Sequence, residues 1–236
     1  MKKRWLPLLL IGVLVLLAGC AKAIPTKEAA ELFVDRLIYQ KETEKFETNF
    51  KDGATLTKNF AEQEQSFLEN FTAGLLSTDS GLSEETATEI SQLVLDQVKE
   101  KTSYTIEVAE NDNIRNVTYH VKGLDFVAIM TQTTKKITAQ MLQDTSLAKD
   151  EGKLATALIA QLKTVLQAAP VQTKAVAVLL EMRPEKGQWT LVEGQQKQLQ
   201  SLYLAFVAGV KDEDTLNKNW ETAQEKLAAE LAQELK

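Results

Sequence analysis

The chain holds one cysteine, Cys20, and one histidine, His120, in 236 residues. A lone cysteine permits no internal disulfide, so stability has to come from a core. One histidine and one cysteine are too few for a zinc site of the usual kind. A histidine general base also needs a marked nucleophile, and none is in place. The nearest approach to a nucleophile elbow, Gly81-Leu82-Ser83-Glu84-Glu85, lacks the second glycine, and Ser83 reads better as a helix cap. The 10 glycines are scattered, so no phosphate-cradling loop exists. Asn111-Asp112-Asn113 is too short for a calcium loop and suits a turn. Basic excess is absent as well: 27 Lys and Arg face 33 Asp and Glu, the wrong balance for nucleic acid. The expectation is therefore no metal, no cofactor, no nucleic-acid partner and no enzymatic activity.

What is present is concentrated at the start. Lys2-Lys3-Arg4 precedes an apolar stretch, residues 8–16, and then Leu17-Ala18-Gly19-Cys20. The order of charge, apolar run and small residues is that of a secretory signal. Residues 6–19 fall short of the roughly 20 apolar residues that cross a bilayer as a helix, and Pro7 and Gly12 weaken them further as a permanent span. The cysteine directly after the small residues resembles the lipobox of bacterial lipoproteins. That resemblance implies cleavage between Gly19 and Cys20 and a lipid on the Cys20 sulfur. It also implies a chain held on the outer face of the cell membrane. No later stretch reaches transmembrane length. Residues 1–19 hold three of the 27 bases and no acids, which leaves 24 bases against 33 acids, a net of −9. An anionic membrane repels such a domain, so lipid has to supply the hold. Residues 12–19 also resemble the apolar peptides that enterococci release from lipoprotein signals as mating pheromones.

The expected division is a signal peptide over 1–19, a short lipidated tether over 20–25, an α+β domain over 26–211 and a C-terminal amphipathic helix over 212–236. Pro25-Thr26 opens a first helix with Thr26 as its cap. A break at Lys51-Asp52-Gly53 leads to a second helix, whose stripe is Leu56, Phe60, Phe67, Phe71 and Leu75. A loop is expected over 77–81, followed by a third helix capped by Ser83. The period then falls to two. Tyr104, Ile106 and Val108 alternate with polar residues, as do Val117, Tyr119 and Val121, which reads as a hairpin with one wet face that carries His120. Helices return over 126–169 and stop at Pro170. A second hairpin has Val176, Val178 and Leu180 in its first arm, a turn over 183–188 and a return over 189–192. Ala175, Ala177 and Leu179 make the first arm apolar on both faces, which predicts a doubly covered central strand. A helix over 195–210 and an acidic tail helix with Leu216, Trp220, Ala223, Leu227 and Leu231 on one face complete the chain.

The fold class is α+β: two hairpins form a four-stranded antiparallel sheet with helices packed on it, helix-rich overall. The lipobox, short tether and alternation of helices with hairpins resemble uncharacterised surface lipoproteins of low-GC Gram-positive bacteria, a domain-of-unknown-function family. That resemblance implies no activity. Tyr104, Tyr119, Trp189, Tyr203 and Phe206 fall on inward positions and would line an apolar pocket if the sheet were curved. The expected partners are the membrane, through lipid on Cys20, and an unknown extracytoplasmic ligand or protein: a small molecule, an envelope polymer or a surface protein. A cell-envelope hydrolase that uses carboxylates alone is the alternative class.

Overall fold

The computed structural model describes residues 22–78 and 82–234. The lipobox, with Gly19 and Cys20, lies outside the described residues. The chain opens with α1 (Thr26–Leu37), α2 (Thr43–Asn49), α3 (Gly53–Thr78) and α4 (Glu84–Lys101). Next come β1 (Ser103–Asn111), β2 (Ile114–Lys122), α5 (Phe126–Gln143), a short 3-10 turn (Leu147–Lys149) and α6 (Glu151–Ala168). The second hairpin is β3 (Val176–Glu185) with β4 (Gln188–Leu191), and α7 (Gln196–Ala208) and α8 (Glu213–Glu234) close the fold.

The sheet runs in the order β1-β2-β3-β4, antiparallel throughout. Alternation sets its two faces. Val117, Tyr119 and Val121 of β2 and Val178, Leu180 and Met182 of β3 are buried beneath helices. α1 lies on this face, and the Tyr119 hydroxyl donates to the Ala30 carbonyl at 3.0 Å. Phe33 of α1 meets Phe46, Phe50 and Phe60, which brings α2 and the start of α3 into the same core. That core draws on residues 23–207, so residues 22–236 carry the whole of it and contain the apolar surface needed to fold alone.

Caps explain several helix starts. Ser83 Oγ accepts from the Thr86 amide, as its sequence position predicts. Asp125 and Asp150 cap α5 and α6 in the same way, through the amides of Ala128 and Lys153. Two helical hairpins result. α3 and α4 run antiparallel, tied by the Thr72–Ser91 hydroxyl pair at 2.8 Å and by Lys99–Glu64 at 3.3 Å. α5 and α6 form the second pair and fill the connection between β2 and β3. α8 docks along α5, where Leu227 is buried, Trp220 is half-buried, and Lys135 pairs with Glu230 at 2.5 Å.

Five expectations change. Thr26 is the first helical residue rather than the cap, and Pro25 occupies the cap position without a side-chain bond. The first helix ends at Leu37, because Gln40 and Glu42 turn the backbone to positive φ (56° and 54°) and restart it as α2. Helix α3 runs through Thr78, into the expected loop. The second hairpin turns on Lys186-Gly187 alone (φ 51° and 87°), so β3 extends to Glu185. A two-residue turn with both residues at positive φ matches the twist of the flanking strands. Finally, β3 is central in the sheet but covered on one face only. Leu179 is 45% exposed, and Ala175 and Ala177 are exposed beside it. The helices in contact with the sheet pack from the Tyr119 side, so the second apolar row of β3 meets solvent.

Candidate functional site

Between the two helical hairpins lies a cavity of about 260 Å³. Its walls come from both. Asn70, Phe71, Gly74 and Leu75 of α3 and Val94 of α4 form one side. Phe126, Ile129 and Met130 of α5 and Leu162 and Leu166 of α6 form the other. The deep wall is dry: Val94, Ile129, Leu162 and Leu166 are all buried in the main core. Towards solvent, Phe71, Phe126 and Met130 are half-buried, and Asn70 and Gly74 are exposed. Among the described residues Asn70 is the one polar side chain in the lining, and its amide makes no hydrogen bond with any of them. Among the described residues the lining contains no charged side chain.

The mouth is set by the helices around it. The Phe71 ring meets Phe126 edge-to-face at 6.2 Å and stacks on Phe67 at 5.5 Å, a row of aromatic rings from α3 to α5. Gly74 sits in the last turns of α3. A Cβ built there would meet nothing within 4 Å. Glycine inside a helix costs about 1 kcal/mol against alanine. No close contact here requires it, so its visible effect is to leave the mouth open.

An open cleft between α4 and α6 is different in kind. Glu84, Glu85, Glu89, Gln92 and Asp96 line it, with Lys163 held by Glu89 at 2.6 Å. Glu84 and Glu85 occupy the first turn of α4, where acidic side chains favour the helix dipole. Among the described carboxylates, Asp35 is the one that burial pushes above its ordinary range. Among the described residues no group of three or more His, Cys, Asp or Glu side chains could hold a metal ion. No helix among them is long and apolar enough to cross a membrane.

The five aromatic residues expected to line a pocket do not share one. Tyr104 stands between Tyr119 and Phe206, 6.3 Å and 6.0 Å from their rings, and Tyr39, just past the end of α1, joins the group. Tyr119 and Phe206 are fully buried there, so α1 fills the concavity that a ligand would have used. Tyr203 instead packs on Phe67, its hydroxyl buried without a partner among the described residues. Trp189 is buried at the β4 edge, where its indole N–H donates to the Ile24 carbonyl at 2.9 Å. Burial pushes all four tyrosine pKa values upward. His120 lies on the solvent face of the sheet, its Nε2 3.4 Å from Glu107 Oε2 across the hairpin. The cavity residues Phe71, Leu75, Ile129 and Leu162 read in sequence as ordinary core. The available signal was Gly74, an isolated glycine in a strong helical pattern.

Residues 16–207 match the family described as a domain of unknown function, DUF5105. The chain belongs to that family. A DUF5105 chain thus has this α+β architecture, with two helical hairpins over one face of a meander sheet. The fold is similar to that in the crystal structure of a putative lipoprotein from Bacillus subtilis subsp. subtilis strain 168, with a TM-score of 0.50 and 18% sequence identity. The likeness covers 77% of this chain but 55% of the Bacillus subtilis protein, so the DUF5105 chain spans little more than half of that neighbour's length. No curated protein matches.

Proposed function

We propose that this DUF5105 protein is a lipid-anchored, extracytoplasmic, non-enzymatic binding protein that takes a small apolar ligand between its two helical hairpins. The cavity carries the binding part. A lining of nine side chains and Gly74, uncharged among the described residues and with one free amide at an exposed mouth, suits a ligand that is mostly apolar and has one polar end. Burying a charge in that lining without a partner would be prohibitive, which argues against ionic ligands held inside. The anchor part rests on the pattern ending in Leu17-Ala18-Gly19-Cys20. The fold likeness to a Bacillus subtilis protein known as a putative lipoprotein agrees with it. Two measurements test the reading. In the native host, Cys20→Ala is expected to release the protein from the membrane fraction or leave it uncleaved. Unchanged processing and membrane retention would refute the anchor. Residues 22–236 are expected to bind a neutral apolar probe such as naphthalene at one site per chain, and absence of saturable binding would refute the cavity.

A further inference from the structure

We infer that the ligand of this cavity is a compact ring system of about ten carbons, bicyclic in size, with one hydrogen-bonding substituent directed at Asn70, rather than an acyl chain; this rests on the cavity reading above. Volume gives the size. A cavity of about 150 Å³ holds benzene, roughly 25 Å³ per carbon, so 260 Å³ holds about ten carbons. A two-chain lipid exceeds this several-fold. Shape separates a ring from a chain. The lining residues of α3 run from Asn70 to Leu75, five steps at 1.5 Å, or about 7.5 Å along the helix. On α5 they run from Phe126 to Met130 and on α6 from Leu162 to Leu166, about 6 Å each. An extended backbone covers about 3.3–3.6 Å for every three chain atoms, roughly 1.1–1.2 Å per atom, so on that scale only about six carbons of a stretched chain fit along that length. The rest of the 260 Å³ therefore lies across the helices rather than along them, which favours a compact ring over an extended chain.

The walls agree with an aromatic occupant. Phe71 and Phe126 present rings already set edge-to-face, and Met130 adds a polarisable thioether. Aromatic pairs and sulfur–aromatic contacts both add attraction beyond burial. At the mouth, the Asn70 amide offers a donor and an acceptor, and both are free among the described residues. A hydroxyl or carbonyl on the ring can use either while the ring stays dry.

Titration calorimetry on residues 22–236 tests this with two ligand series. From phenol to 2-naphthol, affinity is expected to rise at least about 10-fold, because the second ring enters the cavity. From 1-butanol to 1-decanol it is expected to rise up to about six carbons and then stop. A rise of about fourfold for each added methylene, continuing to decanol, would make this a chain site and overturn the inference while leaving the cavity reading intact. If no member of either series binds, both fall. Asn70→Ala, at an exposed position, is expected to keep the fold by circular dichroism. It is expected to weaken 2-naphthol by about 3–10-fold while leaving naphthalene unchanged. Equal effects on both ligands would remove Asn70 as the hydrogen-bonding group.

Discussion

Gly74 offers the sharpest perturbation, because its two consequences move in opposite directions. It lies inside α3, four residues before Thr78, with open space where a Cβ would sit. Gly74→Ala should therefore stabilise the helix by about 0.5–1 kcal/mol, with no clash to offset the gain. For a domain of this size that corresponds to a melting temperature about 1–4 °C higher. A larger side chain begins to consume the cavity. By the same scale of roughly 25 Å³ per carbon, the four carbons of Gly74→Leu take about 100 Å³ and leave about 160 Å³ of the 260 Å³. That remainder holds one ring but not two. The leucine variant should keep phenol binding within about threefold, lose 2-naphthol by more than about 10-fold, and melt no lower than the native chain. Differential scanning calorimetry and titration calorimetry on residues 22–236 give both readings. A lower melting temperature for Gly74→Ala would mean that the glycine is needed for packing rather than for an open mouth. Undiminished 2-naphthol affinity in Gly74→Leu would place the ligand elsewhere.

Other outcomes follow from the same structure. The four tyrosines should stay protonated until the fold is lost. Their folded pKa values are raised, so stability is full below pH 10 and declines as pH rises beyond it, and phenolate absorbance at 295 nm should appear together with unfolding. Phenolate absorbance that rises in the intact fold near pH 10 would contradict their burial. Leu227→Ala should cost about 2–4 kcal/mol, because the side chain is buried against α5, and Trp220→Ala should cost less than its size suggests because the ring is half-buried. Urea unfolding that ranks them the other way would revise the docking of α8. His120→Ala should change stability by no more than about 0.5 kcal/mol, since the ring is on the wet face and meets only an exposed glutamate. A larger loss would point to an unseen role on that face.

Much of this fold is legible in the sequence, and the exceptions have identifiable causes. Period-two alternation from Tyr104 to Val121 gives both the strands and the buried face, because side chains on a strand have only two directions to choose from. Ser83 and Pro170 mark helix ends by local chemistry that does not depend on the rest of the molecule. Leu179 misleads because an apolar residue reads the same whether a second layer covers it or not. α2 is missed because its boundary depends on Gln40 and Glu42 at positive φ, residues with no special preference for it. The cavity is the hardest to read. Phe71, Val94, Ile129 and Leu162 carry the periodicity of any core, and a void is a property of how four helices meet rather than of any one helix. The five inward aromatic residues pointed to a pocket in the sheet, but α1 and the residue Tyr39 just beyond it occupy that space, through Phe33, the Tyr39 ring and the contact at Ala30.

The cavity divides its walls evenly, five residues from α3–α4 and five from α5–α6, and each hairpin is contiguous in sequence. It is therefore a seam between two cooperative units as well as a hollow. Contacts that an occupied seam would gain are missing along it, so it is the plane on which the protein should first come apart. Sub-global opening there would expose the amides of both hairpins while the β1–β2–β3 ladder stays closed. A molecule lodged in the seam would splice the two units into one. Hydrogen exchange in α3 and α5 would slow together, and the partial opening would merge into global unfolding. In a protein with no disulfide to join these units, occupancy would then decide whether the chain unfolds in two steps or in one.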